Sequence, residues 1–309
     1  MSTPTTTPAT ENLTWWDRAR RWTRPVVLAN LVAQIAIIVT GGAVRLTGSG
    51  LGCSTWPMCE PGEFTPRFHD ATNLHPYIEF GNRTLTGVLG VIAVAVAVLV
   101  WSDRSRSRSY RLLGLVPLVG VAAQAVIGGI TVLVDLHPAI VGGHLLISMA
   151  LVAASTVLLE RVSEGDGPPR PLADPRTRLA AAALQVALVP VLVLGVIVTG
   201  AGPHSGDSEV GYRFAVDPAR FTQLHSASVW LFLAVTVLVV VLVARTRPAP
   251  PRARRVLVTL VVITLLQGAI GYVQYFTGLP EILVGLHMLG AALLTAGTVR
   301  VPLALRERV

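Results

Sequence analysis

The sequence predicts an all-α integral membrane protein whose eight transmembrane helices form two parallel four-helix-bundle repeats, with both termini cytoplasmic. Three observations predict it. Only 14% of the residues are charged while 52% are hydrophobic, against roughly 25% charged in an average globular chain. Eight uncharged apolar runs follow one another, each matching the roughly 20 residues that cross a bilayer. The chain also resembles itself at a fixed shift. The hydrophobicity excludes a disordered chain, and two cysteines in 309 residues exclude a disulfide-framework mini-protein.

Residues 1–24 read as a cytoplasmic tail, Thr/Pro-rich and then Arg-rich, with no apolar core before a cleavage site and hence no signal peptide. Trp15, Trp16 and Trp22 beside Arg18, Arg20 and Arg21 suit either an interfacial anchor or packing against the bundle. The runs 25–44, 84–101, 112–134 and 138–159 make a first repeat over 25–160. A cytoplasmic linker, 161–178, leads to the runs 179–202, 221–244, 256–279 and 282–299, a second repeat over 179–304. Buried helices of a soluble protein seldom come in eights without a charged face between them.

Direction follows from the arginines of the short connections. Twenty of the 25 bases, all of them arginine, fall on the side that carries both termini, and five (Arg45, Arg67, Arg83, Arg213 and Arg220) fall on the other. The net charge of +8 is therefore a topological signal. A nucleic-acid partner would need that charge gathered on one soluble face, and it is not.

A shift of 143 residues lays Gln124-Ala-Val-Ile-Gly128 on Gln267-Gly-Ala-Ile-Gly271, His144 on His287, and Asn82 on His225. The first helix fits at 159 instead, Val39-Thr40-Gly41 on Val198-Thr199-Gly200, so the outer loop near 46–77 is longer than its counterpart near 203–220. Four spans per unit is an even number, so the repeats insert in the same direction.

His144, His225 and His287 are the seventh, fifth and sixth residues of runs that begin outside. All three lie roughly 6–10 Å below the outer surface at 1.5 Å per residue. Polar groups at that depth are costly and mark function by default. One such histidine serves either as an interhelical hydrogen-bond partner or as a ligand; three at matching depth favour ligation, because imidazoles on facing helices can supply both axial nitrogens of a heme iron. Gly142, Gly143, Gly285, Gly290, Ser226 and Ser228 near them suit a flat ligand or close helix packing.

The first repeat breaks the symmetry with Asn82, a weak iron ligand at best. Glu79 and Arg83 flank it four apart, which fits an i,i+4 ion pair as well as a carboxylate that moves protons. Arg83 and Arg45 can hold propionates as charge-assisted pairs. Cys53 and Cys59 share the long outer loop on the oxidising side, which favours a structural disulfide over a redox-active one. Among the loop histidines His69, His75, His137 and His204, His75 is of interest because it precedes Asn82 by two helical turns.

These residues resemble the heme A synthase (CtaA) family over nearly the whole chain, about 25 to 300. The resemblance is carried by Thr40-Gly41-Gly42-Ala43-Val44-Arg45-Leu46-Thr47-Gly48-Ser49-Gly50-Leu51, the loop cysteines, the helical histidines and Glu79–Arg83. It implies oxidation of the C8 methyl of heme O to a formyl group, by two hydroxylations and loss of water, giving heme A for terminal oxidase assembly. It further implies heme b on His225 and His287, substrate heme between positions 82 and 144, and an acidic residue needed for chemistry at Glu79. Implied partners are heme O, a quinone or other electron acceptor, heme O synthase and terminal oxidase assembly factors. The implied place is the bacterial plasma membrane, among lipid, with heme sites near the outer face. Two departures stand out: Glu79-Phe80-Gly81-Asn82-Arg83 replaces the family's Glu-x-x-His-Arg, which leaves His144 as the one strong substrate-side ligand, and Gly202–Asp207 lacks a second cysteine pair. The competing readings are a b-type electron carrier working with quinone without altering its heme, and a non-enzymatic heme carrier.

Overall fold

The computed structural model describes residues 15–67, 74–207, 209–246 and 250–308, with side chains from residue 18 onward. His69 and the side chains of Trp15 and Trp16 lie outside the described residues. Among those residues, eight helices are long and apolar enough to cross a membrane, and the protein is an all-α multi-pass membrane protein. A short α1 (Trp15–Arg20) leads into α2 (Thr23–Leu46), followed by α3 (His75–Ser102). One span is split into α4 (Arg108–Leu113) and α5 (Val116–Leu133), and α6 (Pro138–Val162) completes the first half. The second half holds α7 (Pro175–Ala201), α8 (Pro218–Arg245), α9 (Pro251–Phe276) and α10 (Glu281–Ala304).

The helices begin where sequence chemistry starts them. Proline stands in the first turn of α3 and of α5 to α9, where its missing N–H costs nothing. Asp174 accepts from Arg176 N and Thr177 N, and Asp217 accepts from Ala219 N, as N-caps. Several boundaries differ from those expected. The second span starts at His75 instead of 84, because Glu79 and Arg83 pair inside the helix and so do not end it. α1 lies in the expected tail, and α7 begins inside the expected 161–178 linker.

Exposed faces are apolar. On α3, Leu85, Val88, Val91, Val94 and Val98 point outward while Leu89, Ala93, Val96 and Val100 are buried. Similar exposed apolar residues on α5, α7, α8 and α9 have no place on a water-soluble surface and suit lipid. Some buried polar groups pair across helices: Asn30 Nδ2 donates to Ser155 Oγ at 2.9 Å. Thr156, Thr236, Thr264 and Thr295 donate back to carbonyls one turn earlier.

In each half the helices form a ring in which α2 touches α3 and α6, α5 touches α3 and α6, α7 touches α8 and α10, and α9 touches α8 and α10. The halves meet where α10 packs on α2 and α6, and α6 on α7. Ala292 sits there in a cluster with Leu31, Ile38, Met149 and Val152. At the arginine-rich end, Glu160 of α6 accepts from Arg252 and from Arg300, the latter at 2.6 Å, which ties the halves together. The two-residue strands β1 (Arg170–Pro171) and β2 (Arg306–Glu307) pair antiparallel beside it. Asp166 joins Arg106 at 2.7 Å and Arg161 at 2.8 Å. Burial pushes the Asp166 carboxyl up, but hydrogen bonds from Arg106 and Ser107 outweigh it and hold the group well below the usual carboxylate range. A carboxyl depressed on folding stabilises above its unfolded value, so this link is lost only as pH falls far into acid.

Gly114, away from the histidines, shows how close the packing is: a Cβ there would lie 2.4 Å from Val100 Cγ1. Gly114→Val is expected to cost about 1–3 kcal/mol by overpacking, read as a lower unfolding midpoint in detergent. An unchanged midpoint would show that α4 can shift away at no cost.

Candidate functional site

Asn82 is the eighth residue of α3, His144 the seventh of α6, His225 the eighth of α8 and His287 the seventh of α10. All four helices start at the loop-rich end, so the four side chains share one depth, about 10 Å into their helices. Each pair comes from helices across the diagonal of its ring, which is what lets two side chains face each other over the bundle axis.

In the second half, the His225 and His287 rings stand with centroids 6.5 Å apart and planes at 78°. Their Nδ1 atoms, like that of His144, are buried without a hydrogen-bond partner. A metal at roughly 2 Å from a nitrogen of each ring, the usual metal–imidazole distance, fits between rings at this separation. Among the described residues no group of three or more His, Cys, Asp or Glu could hold a metal ion. An iron needing only two axial nitrogens from the protein asks for a pair.

In the first half lies a cavity of about 610 Å³, within the several hundred Å³ usual for cofactor-sized ligands. It is lined by Gly41 and Arg45 of α2, Glu79, Asn82 and Arg83 of α3, Gln124 and Gly128 of α5, and His144 of α6. All the residues expected on the substrate side therefore meet at one cavity. Thr40 Oγ1 donates to Asn82 Oδ1 at 2.8 Å.

The loop after α2 is fastened over this cavity. Cys53 and Cys59 form a disulfide, and Trp56, Pro57 and Phe64 line the cavity. Glu79 Oε2 accepts from Cys53 N at 2.7 Å, and Glu79 Oε1 accepts from Arg83 Nε at 3.0 Å. Arg83 Nη1 also donates to Thr55 O at 3.0 Å and Met58 O at 3.2 Å. The i,i+4 pair is thus present, and the same carboxylate also faces the cavity. Trp56 packs where Gly129 has no side chain; a Cβ there would lie 2.4 Å from Trp56 Cδ2.

Arg45 spends donors on the second half, Nε on His204 O at 2.7 Å and Nη2 on Thr199 O at 3.0 Å. The other histidines have local partners. His75 Nδ1 lies 2.8 Å from Ser49 Oγ, His204 Nε2 lies 2.9 Å from Leu279 O, and His137 caps α6. None of these three lines the cavity.

Four glycines on neighbouring helices make room for the facing side chains: Gly41 beside Asn82, Gly128 beside His144, Gly195 beside His225 and Gly271 beside His287. Of the small residues singled out along the histidine helices, Gly142 lines the cavity and packs on Val196, while Gly285 packs on Leu46 and Gly290 on Gln267. The signal was in the sequence, since Gly128 and Gly271 end the repeated Gln-x-x-x-Gly motif. That motif also fixes a hydrogen bond: Gln124 Nε2 donates to His144 O and Gln267 Nε2 to His287 O, each at 2.9 Å. Gly200, the residue that the shift of 159 lays on Gly41, packs on Phe214 and Pro138.

The model of a family of cytochrome oxidase assembly proteins, COX15-CtaA, matches residues 24–206. The chain is similar to the heme A synthase of Bacillus licheniformis, 30% identical over 136 residues, 44% of this chain and 43% of the relative. It is 30% identical to that of Halalkalibacterium halodurans over 143 residues, 45% and 46% of the two chains. It is 32% identical to that of Lysinibacillus sphaericus over 151 residues, 47% of each. The matched stretch spans less than half the length of each curated relative.

Proposed function

The chain belongs to the COX15-CtaA family of cytochrome oxidase assembly proteins, and from that premise we propose that it is a heme A synthase of the bacterial plasma membrane. Its reaction is oxidation of the C8 methyl of heme O to a formyl group, through two hydroxylations and loss of water, for terminal oxidase assembly. The observation that carries this reading is the asymmetry of the two halves. One has two facing imidazoles; the other has a ligand-sized cavity whose lining, among the described residues, holds a single imidazole, a carboxylate and two arginines.

In this reading the halves are parallel repeats, the termini are cytoplasmic, and both sites lie near the outer face, where few arginines occur. His225 and His287 hold heme b by their ring nitrogens. When bound, that heme supplies one-electron transfer toward an acceptor, for which a quinone is the fitting class. His144 would hold the substrate iron, with Asn82 lining the same cavity from the diagonal helix. Glu79 takes and returns protons at its Oε atoms in this cavity. Arg83 and Arg45 orient the propionate edge through whatever donors their backbone partners leave. The disulfide-closed loop with Trp56 keeps water from the cavity.

Expression in a host that makes heme O but no heme A tests the reading directly. Extracted hemes are expected to include heme A or its hydroxylated intermediate. Bound protoheme with quinone-linked redox chemistry and no altered heme would make the protein an electron carrier instead.

A further inference from the structure

Position 82 stands where the second half has an imidazole, and the structure shows what the amide there does. An asparagine ligates iron, if at all, through its oxygen, since an amide nitrogen has no free lone pair to give. Asn82 Oδ1 already accepts the Thr40 hydroxyl at 2.8 Å, shorter than the 3.3 Å between that hydroxyl and Ile37 O. That bond uses one of the two lone pairs of Oδ1 and fixes the amide so that Nδ2 turns toward Gly41, which lines the cavity. A Cβ at Gly41 would lie 3.9 Å from that nitrogen, so the N–H groups are not crowded. His144 lines the same cavity from the diagonal helix.

We propose that Asn82 does not ligate the substrate iron but forms a hydrogen-bond donor over its open face, oriented by Thr40, making a binding site for a small ligand with a lone pair, such as water or a diatomic anion. His144 is then the sole protein ligand of that iron. Thr40 is a positioning residue, since it acts only through Asn82. The inference rests on reading the first-half cavity as the substrate-heme site, and it goes beyond that reading by assigning the sixth position.

Cyanide binding to the protein loaded with ferric heme, followed in the Soret region, is the test. A heme held by two imidazoles has no vacant position, so the second-half site stays silent and the signal reports the first. The wild type is expected to show a high-spin component that takes up cyanide. Asn82→Leu and Thr40→Val should each weaken cyanide about tenfold, the scale of one hydrogen bond to a charged ligand, without changing heme content. Thr40→Ser should restore it. Asn82→His should abolish both the high-spin component and cyanide uptake.

A wild-type first-half heme that is low-spin and inert to cyanide would overturn the proposal, as would Asn82→Leu or Thr40→Val leaving cyanide affinity unchanged. Heme content that is the same in His144→Ala as in wild type would instead overturn the substrate-site reading beneath it. The two failures are thereby distinguishable.

Discussion

His287→Ala is expected to strip the second half of its heme, lowering affinity there by more than the 10–100-fold that loss of a mere supporting contact costs a metal site. The reason is geometric. His225 and His287 face each other at 6.5 Å from helices across the ring diagonal, and among the described residues no third His, Cys, Asp or Glu stands with them to take over a ligand's place. His225→Ala should do the same, and the double variant should be little worse than either, because one imidazole alone does not hold the site. A ligand bound at a thousandfold its Kd stabilises a fold by about 4 kcal/mol, so the single variants should also unfold at lower temperature, and by similar amounts. The measurement is the heme-to-protein ratio from pyridine hemochromogen spectra, alongside thermal unfolding in detergent. Gly271→Val offers a further variant that keeps both histidines in the sequence: a Cβ there already comes within 3.3 Å of His287 Cε1, so a branched side chain should displace the ring and lower heme occupancy. Full heme occupancy in His225→Ala or His287→Ala would refute the paired-ligand site.

Much of this arrangement is legible in the sequence because the bilayer imposes its own grammar. Eight apolar runs have to be helices, since nothing else satisfies the backbone without water. Counting residues from the same end then puts His144, His225 and His287 at one depth, and the 143-residue shift adds Asn82 to them before any contact is known. Hydropathy misplaces helix ends, because a charged residue looks like a boundary even when its partner sits one turn away. Glu79 and Arg83 hid the first turns of α3 in that way. What could not be read is contact between side chains on different helices. The hydroxyl of Thr40 is one residue among many in an apolar helix, and only the packing of α2 on α3 brings it to Asn82. The glycines that admit the rings lay within reach, since two of them close the repeated Gln-x-x-x-Gly motif. Attention to each histidine's own neighbours along the chain passed over the facing helix, where the room is made.

Glu79→Gln is expected to lower heme A formation by 10²–10⁴-fold, the usual worth of a positioned proton-transfer group, while both hemes stay bound. Two roles compete for this carboxylate, and the substitution separates them. As an anchor, Glu79 accepts Cys53 N at 2.7 Å and pairs with Arg83, holding the disulfide loop over the cavity. A glutamine can still accept from Cys53 N through its oxygen, and Arg83 keeps its bonds to Thr55 O and Met58 O. What the anchor loses is the difference between a charged and a neutral hydrogen bond, about 1–2 kcal/mol, against a loop also closed by Cys53–Cys59. The loop should therefore stay seated, read as unchanged resistance of the disulfide to mild reduction and alkylation. What the site loses is the only carboxylate that lines the cavity among the described residues, and an amide cannot take up a proton at neutral pH. Product lost with the loop still protected assigns Glu79 to the chemistry; product and protection lost together assign it to the anchor. Retention of full turnover in Glu79→Gln would remove the carboxylate from the mechanism altogether, leaving proton transfer to water or to the substrate's own propionates.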